Sequence, residues 1–170
     1  MPTKEQSVTT FEGLECQQLQ DRLAEMCNEA AELRASAGES STEETLTDLH
    51  ERLIRCRQAQ DRIEEILGKL VRLRGIARKQ ARARKDELED QLSQIIRASR
   101  PVEFSSVRER EARYDVDAFE QKRAWRNAER TLANVEMAHE FVTLVYRGID
   151  SARRDVEVRV RLVSLDSRLE

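Results

Sequence analysis

Residues 46–85 read LTDLHERLIRCRQAQDRIEEILGKLVRLRGIARKQARARK, and this stretch decides the fold class. Its first half carries a seam of positions at alternating steps of three and four residues, with one polar member: Leu46, Leu49, Leu53, Cys56, Gln60, Ile63, Leu67 and Leu70. Because 3.5 residues nearly complete one helical turn, these positions share one face of an α-helix. The stretch therefore predicts a long helix that packs against another helix along this seam.

The composition of the whole chain agrees with this prediction. Charged residues make up 37% of the 170 residues and aromatic residues only 4%, and the chain has five Gly and two Pro. Such a composition is typical of long helices and coiled coils. Strands and tight turns need clusters of Gly, Pro and β-branched residues, which are scarce here. We expect an all-α protein.

A second seam precedes the first in the chain, again at steps of three and four: Cys16, Leu19, Leu23, Met26, Ala30 and Leu33. A short turn at Gly38–Ser40 follows, and Ser41 with Glu44 forms a capping-box pattern for the next helix. A short turn makes consecutive helices antiparallel neighbours. This arrangement would bring Glu29 near Arg52, whereas a parallel homodimer would oppose Arg52 and Arg57. The sequence predicts an intrachain antiparallel hairpin.

The predicted architecture is an elongated antiparallel helical hairpin or coiled coil, followed by a third long helix and a short C-terminal helix or strand. The predicted parts are a flexible tail at 1–8, the hairpin at 9–99, a connector at 100–105 and an aromatic-bearing segment at 106–170. Pro101 stops the second helix. Val156, Val158, Val160 and Leu162 alternate with charged residues, as in a strand, but they also fit a helical face, and both interpretations stay open.

Charge is strongly segregated along the chain. Residues 1–50 carry 3 basic and 11 acidic side chains, whereas residues 51–100 carry 14 basic and 8 acidic ones. The second half of the opening stretch holds a basic run without any acidic residue: Lys69, Arg72, Arg74, Arg78, Lys79, Arg82, Arg84 and Lys85. These charges surround the helix, which favours exposure to solvent. Two interpretations stay open: a binding site for nucleic-acid phosphates, or a solvated helix that pairs with acidic protein surfaces.

Motifs for catalysis and metal binding are weak. Glu136 and His139 have the E-x-x-H spacing of one half of a di-iron site, but no second such motif occurs. The chain has two histidines, no Gly-rich phosphate loop and no GxSxG motif. We therefore predict no catalytic residues, no metal and no cofactor. Cys16 and Cys56 lie on the apolar seams and are interpreted as small buried residues of a reducing compartment.

These observations favour a non-enzymatic coiled-coil assembly or adaptor protein that binds protein partners and itself. Its hairpin or oligomer seam would be Leu46, Leu49, Leu53, Ile63, Leu67 and Leu70. The alternative is an accessory DNA- or RNA-binding factor that docks through residues 69–85, and the third is a helical-bundle metalloprotein. No apolar run of 18 residues and no signal peptide are found, so we expect a cytoplasmic protein without a membrane span or a small-molecule substrate.

Overall fold

The computed structural model describes residues 16–38, 44–98 and 107–166. These residues form four helices: α1 at Cys16–Gly38, α2 at Leu46–Ala98, α3 at Val107–Asp117 and α4 at Phe119–Asp166. The described part contains no strand. The all-α prediction is confirmed, and residues 156–162 are helical. The predicted tail at 1–8, the connector at 100–105 and Ser41 lie outside the described residues.

The helices contribute to two compact units. Of the described residues, 20–38, 44–72 and 136–166 belong to one unit, named here the α1 unit; residues 16–19, 73–98 and 107–135 belong to the other, named the α3 unit. α1, α2 and α4 each supply residues to both.

The α1 unit is a bundle of three helices. α1 and α2 are antiparallel, because Glu29 contacts Arg62 while Ala37, further along α1, contacts Arg52, earlier in α2. α2 and α4 are antiparallel by the same reasoning from their own contacts. It follows that α1 and α4 run in the same direction. The predicted intrachain hairpin is confirmed, and α4 is the third helix that covers it.

The core of the α1 unit follows the predicted seams. The buried apolar residues of its three helices are Leu23, Met26, Ala30 and Ala37 from α1, Leu49, Cys56, Ala59, Ile63, Ile66 and Leu70 from α2, and Ala138, Val142, Val145, Ile149 and Val156 from α4. Burying each large aliphatic side chain stabilises the fold by about 1.5–3 kcal/mol, which is why the apolar spacing decides which faces meet.

The expected pairing of Glu29 with Arg52 is wrong. Arg62 donates from Nε to Glu29 Oε1 at 2.5 Å, and Arg52 bonds residues at the other end of the hairpin. α2 begins at Leu46 rather than near Thr42, and Glu29 pairs with a residue ten positions further along α2 than predicted. The described start of α2 is capped by Thr45 and Asp48.

The capping box of α2 has both of its reciprocal bonds. The Asp48 amide donates to Thr45 Oγ1 at 3.2 Å, and the Thr45 amide donates to Asp48 Oδ2 at 2.8 Å. Two amides that have no partner inside the helix are thereby satisfied. The Thr45 hydroxyl also donates to Asp48 Oδ2 at 2.6 Å, and this bond together with that from the Thr45 amide lowers the pKa of the Asp48 carboxyl.

The α3 unit contains the second half of α2, all of α3 and the first part of α4. Its buried side chains are mostly small: Leu19, Leu73, Ala77, Ala81, Leu88, Ala118, Ala128 and Val135. Ala118 alone separates α3 from α4, and backbone bonds of 3.0 Å continue across it, from the Ala118 amide to Tyr114 and from the Lys122 amide to Ala118. The predicted third helix is thus divided at Ala118, and it extends through Gly148 to Asp166.

Candidate functional site

The predicted hairpin or oligomer seam is used largely within the chain. Leu49, Ile63 and Leu70 are buried in the single chain, whereas Leu53 and Leu67 are half-buried. Leu46 is 37% exposed at the start of α2. Because the three buried residues already pack against α1 and α4 within one chain, they are not available to a second copy of the folded protein.

Gln60, the polar member of this seam, bonds another helix. Its Nε2 donates to Asp150 Oδ1 at 3.2 Å, across the interface between α2 and α4. Arg153 donates to the same oxygen at 3.1 Å and to Glu157 at 2.7 Å. The Arg153 guanidinium lowers the pKa of the Asp150 carboxyl. A polar residue on a helix seam can fix the register of the helices, and the bond from Gln60 to Asp150 is of this kind.

A second polar contact between α2 and α4 lies one turn away. The Tyr146 hydroxyl donates to Glu64 Oε1 at 3.0 Å, and this bond raises the pKa of the phenol. Both contacts use groups that also reach solvent. They orient α4 on α2, and they do not form an enclosed site for a substrate.

A buried ionic cluster lies at the other end of the same bundle. Arg52 donates from Nη1 to Glu44 at 2.9 Å and from Nε to the Ala37 carbonyl at 3.5 Å. Arg159 of α4 donates to the second oxygen of Glu44 at 3.1 Å. The cluster therefore joins the C-terminus of α1, the segment before α2, and α4. The partner in α4 could not be found from the sequence, since it lies 115 residues from Glu44.

The described thiols have the environment of structural cysteines. Cys56 is buried, and its Sγ lies 3.8 Å from the Ala37 carbonyl oxygen. Burial raises the pKa of both Cys56 and the half-buried Cys27, and both are free thiols. A raised pKa leaves little thiolate at neutral pH, which makes both residues poor nucleophiles.

The predicted basic run divides into three environments. Arg84 and Lys85 pair with Glu87 and Glu89 on their own helix at 2.7 and 3.6 Å. Arg72, Lys79 and Arg82 are exposed, as are Arg78 and Lys85, whereas Lys69, Arg74 and Arg84 are half-buried. Among the described residues, Arg72, Lys79 and Arg82 have no acidic partner.

α4 also carries a surface that the sequence reading missed. Six large apolar side chains between 42% and 61% exposed lie on its outward face in the α1 unit: Met137, Phe141, Leu144, Val158, Leu162 and Leu165. With Gly148, Ser151 and Asp155 between them, the positions follow steps of four and three without interruption from 137 to 165. We name this set of nine residues the α4 stripe. Single exposed apolar residues are ordinary, whereas two groups of three large ones on the same heptad series, at 137–144 and at 158–165, are not.

The signal for the α4 stripe was present in the sequence. The core face of α4 follows Val135, Ala138, Val142 and Val145, and the stripe begins at Met137, so one helix carries two apolar heptad series. If only the core series of α4 is followed along the sequence, the α4 stripe is missed. Phe119 and Phe141 are both more than 40% exposed, so neither of these aromatic side chains belongs to the packed core.

The E-x-x-H pair gains no further ligands. Glu136 and His139 are both half-buried on α4. Within the described ranges, no group of three or more His, Cys, Asp or Glu side chains comes together in a way that could hold a metal ion. The arrangement therefore supplies no observation in favour of the metalloprotein hypothesis.

Comparisons with known proteins gave no relative. The chain matches no protein-family model, no curated protein and no solved structure. No helix in the described part of the chain is long and apolar enough to cross a membrane. The exposed surfaces of the chain therefore carry the information on its function.

Proposed function

We propose that the protein is a non-enzymatic assembly or adaptor protein that binds helical segments of proteins through the α4 stripe. The observation that carries the proposal is the exposure of six large apolar side chains on one heptad series, in two groups on either side of Gly148, Ser151 and Asp155. Side chains at this spacing are what a partner helix covers in a left-handed coiled coil. A polar surface helix would gain nothing from such a pattern.

The α1 unit supports this role by holding α4 in a fixed orientation. The buried residues of α4 pack on α1 and α2. Polar contacts from α4 to Gln60, Glu64 and Glu44 fix the rotation of α4 about its own axis. A stripe that is already ordered loses little conformational entropy on binding. The free thiols Cys27 and Cys56 fit a reducing compartment, and we propose the cytoplasm.

Site-specific photocrosslinking in living cells that produce the protein tests this proposal. A photoreactive amino acid at Leu144 or Leu162 should form covalent adducts with protein, because both positions lie on the stripe. The same amino acid at Ile54 is the matched control, since Ile54 is 54% exposed but lies on α2. Equal adduct yields at Ile54 and at the two stripe positions would refute the proposal.

A second function has one specific observation in its favour. Arg72, Lys79 and Arg82 are exposed cations on α2 without an acidic partner among the described residues. Cations of this kind bind phosphate groups and release counterions from nucleic acid. We propose DNA or RNA binding through these three residues as the second candidate function.

A further inference from the structure

We infer that the occupant of the α4 stripe is the same stripe of a second copy of the chain, bound antiparallel about a two-fold axis at position 153. The inference rests on the proposed function and names its partner. It follows from the order of large and small residues along the stripe.

Apart from Met137, the positions of the α4 stripe are symmetric about residue 153, with large apolar side chains towards both ends and polar ones in the middle. Phe141 and Leu165 each lie 12 residues from position 153, Leu144 and Leu162 lie nine residues away, and Gly148 and Val158 lie five residues away. An antiparallel pair in this register places each of these residues opposite the other member of its couple in the second copy. A two-fold dimer needs such a self-complementary surface, because each copy presents the same residues to the other. An unrelated partner would not require this symmetry.

The register is set by Asp155. In the symmetric register, Asp155 lies opposite Ser151 of the second copy. A shift by one heptad in either direction would place Asp155 opposite Leu144 or Val158, leaving a charge against an aliphatic side chain. A parallel, in-register pair would oppose the two copies of Asp155 and would bring Arg154 near Arg159 of the other copy. The symmetric antiparallel register avoids all of these contacts.

Gly148 and Arg34 supply a complementary charge. The Arg34 side chain of α1 crosses α4 so closely at Gly148 that a Cβ atom there would lie 3.1 Å from Arg34 Nε. Among the described residues, neither Arg34 nor Asp155 forms an ion pair. In the symmetric register, Asp155 of the second copy lies one turn from Gly148, the residue that the Arg34 side chain crosses. Arg34 is therefore placed to pair with this carboxylate.

Arg154 lies near the two-fold axis, where it lies close to Arg154 of the second copy. Its guanidinium already pairs with Asp150 at 2.6 Å, which reduces the repulsion between the two arginines. Arg147 and Arg161 of the other copy are like charges at the rim of the interface, so added salt should strengthen the dimer.

Sedimentation equilibrium of the purified full chain measures the dimer. The native chain should show a monomer–dimer equilibrium, and Leu144→Glu or Leu162→Glu should raise its dissociation constant about tenfold or more. Ile54→Glu is the matched control and should leave the constant unchanged. Circular dichroism verifies that each variant is folded. A chain that stays monomeric at every concentration would overturn the inference.

Disulfide formation then measures direction and register. Leu144→Cys and Leu162→Cys chains with different tags are mixed and oxidised, with the unsubstituted chain as the background for its own cysteines. The expected product is the mixed disulfide, with little disulfide in either variant alone. Predominant disulfides between two Leu144→Cys chains would overturn the antiparallel register while leaving the proposed function standing. Photocrosslinks only to other proteins would also overturn the inferred dimer and leave the proposed function standing. Equal adduct yields at Ile54 and at the stripe positions would refute the proposed function itself.

Discussion

Arg52 Nη1 lies 2.9 Å from Glu44 Oε1, and the two side chains are 9% and 8% exposed. This ion pair is removed from water at the point where the hairpin turns and α4 returns to it. Two further contacts complete it: Arg52 donates to the Ala37 carbonyl, and Arg159 donates to Glu44. A buried ion pair contributes most visibly when one partner is removed, because the other charge is left without compensation.

Arg52→Met should therefore destabilise the protein strongly. The variant removes a buried partner of Glu44, and we expect a loss of about 3 kcal/mol in the free energy of unfolding, at the lower end for a broken buried pair. Urea unfolding followed by circular dichroism measures this loss. Arg57→Met is the control on the same helix, where an exposed arginine should cost less than about 0.5 kcal/mol. Equal losses in the two variants would contradict the role of the pair.

The register of the hairpin can be tested by charge reversal. Glu29→Arg should lower stability, and Arg62→Glu in the same chain should restore part of the loss. Both side chains are partly exposed, so each effect is expected at about 0.2–1 kcal/mol. Recovery will be partial, because Arg62 also pairs with Glu65. Arg57→Glu combined with Glu29→Arg should give no recovery, and recovery there would show that general charge balance is responsible.

Asp150 should contribute to the acid sensitivity of folding. Its pKa is lowered in the folded chain by Arg153, so the stabilisation is fully present above the usual aspartate pKa of about 4 and is lost as pH falls through the lowered value. Asp150→Asn should therefore lose less stability than the native chain between neutral and strongly acidic pH. Urea unfolding at a series of pH values measures this difference. Asp61→Asn is the exposed control and should follow the native profile.

Two glycines inside helices should respond differently to alanine. Gly75 has no atom within 4 Å of an added Cβ, so Gly75→Ala should stabilise α2 by about 0.5–1 kcal/mol. At Gly148 the added Cβ would lie 3.1 Å from Arg34 Nε, so Gly148→Ala should stabilise α4 less. Thermal unfolding of the two variants compares them directly. An equal gain at Gly148 would show that Arg34 moves aside without cost.

The basic residues of α2 provide the test of the second candidate function. If the protein binds duplex DNA, replacing Arg72, Lys79 and Arg82 by Ala should weaken binding and reduce the salt slope by about one unit for each lost contact. Fluorescence anisotropy at several salt concentrations measures both quantities. The matched control replaces the exposed arginines Arg57, Arg123 and Arg126, which removes the same charge elsewhere. Equal weakening in both triple variants would indicate only bulk charge, and absence of binding at low salt would refute the candidate.

The fold class was accessible from the sequence because the spacing of apolar residues directly reflects helix packing. Leu49, Ile63 and Leu70 recur at the period of a packed helix, and each of them is buried. The antiparallel hairpin followed from the short distance along the chain between its two seams. Such local patterns need no knowledge of distant residues.

Pairings between distant residues were not accessible in the same way. Glu29 pairs with Arg62, and the described start of α2 is capped by Thr45 and Asp48, although a similar capping pattern occurs four residues earlier in the sequence. Likewise, no residue near Arg52 in the sequence indicates that Arg159 also donates a hydrogen bond to Glu44. The α4 stripe was hidden for another reason: the heptad pattern indicates apolar faces, but it does not say which of two faces the chain itself will cover.

The contacts of the α1 unit also predict an order of folding. The contacts between α1 and α2 join residues 15, 19 and 33 positions apart. The contacts that α4 makes with α2, and with Glu44 just before α2, join residues 82, 90 and 115 positions apart. Closing a longer loop costs more entropy, so the hairpin should form first and α4 should dock onto it afterwards. During synthesis, the side of the hairpin that α4 will cover, at Ile63 and Ile66, then stays exposed until the last quarter of the chain has been made. In that interval it is the nascent chain, rather than the finished protein, that most needs protection from aggregation.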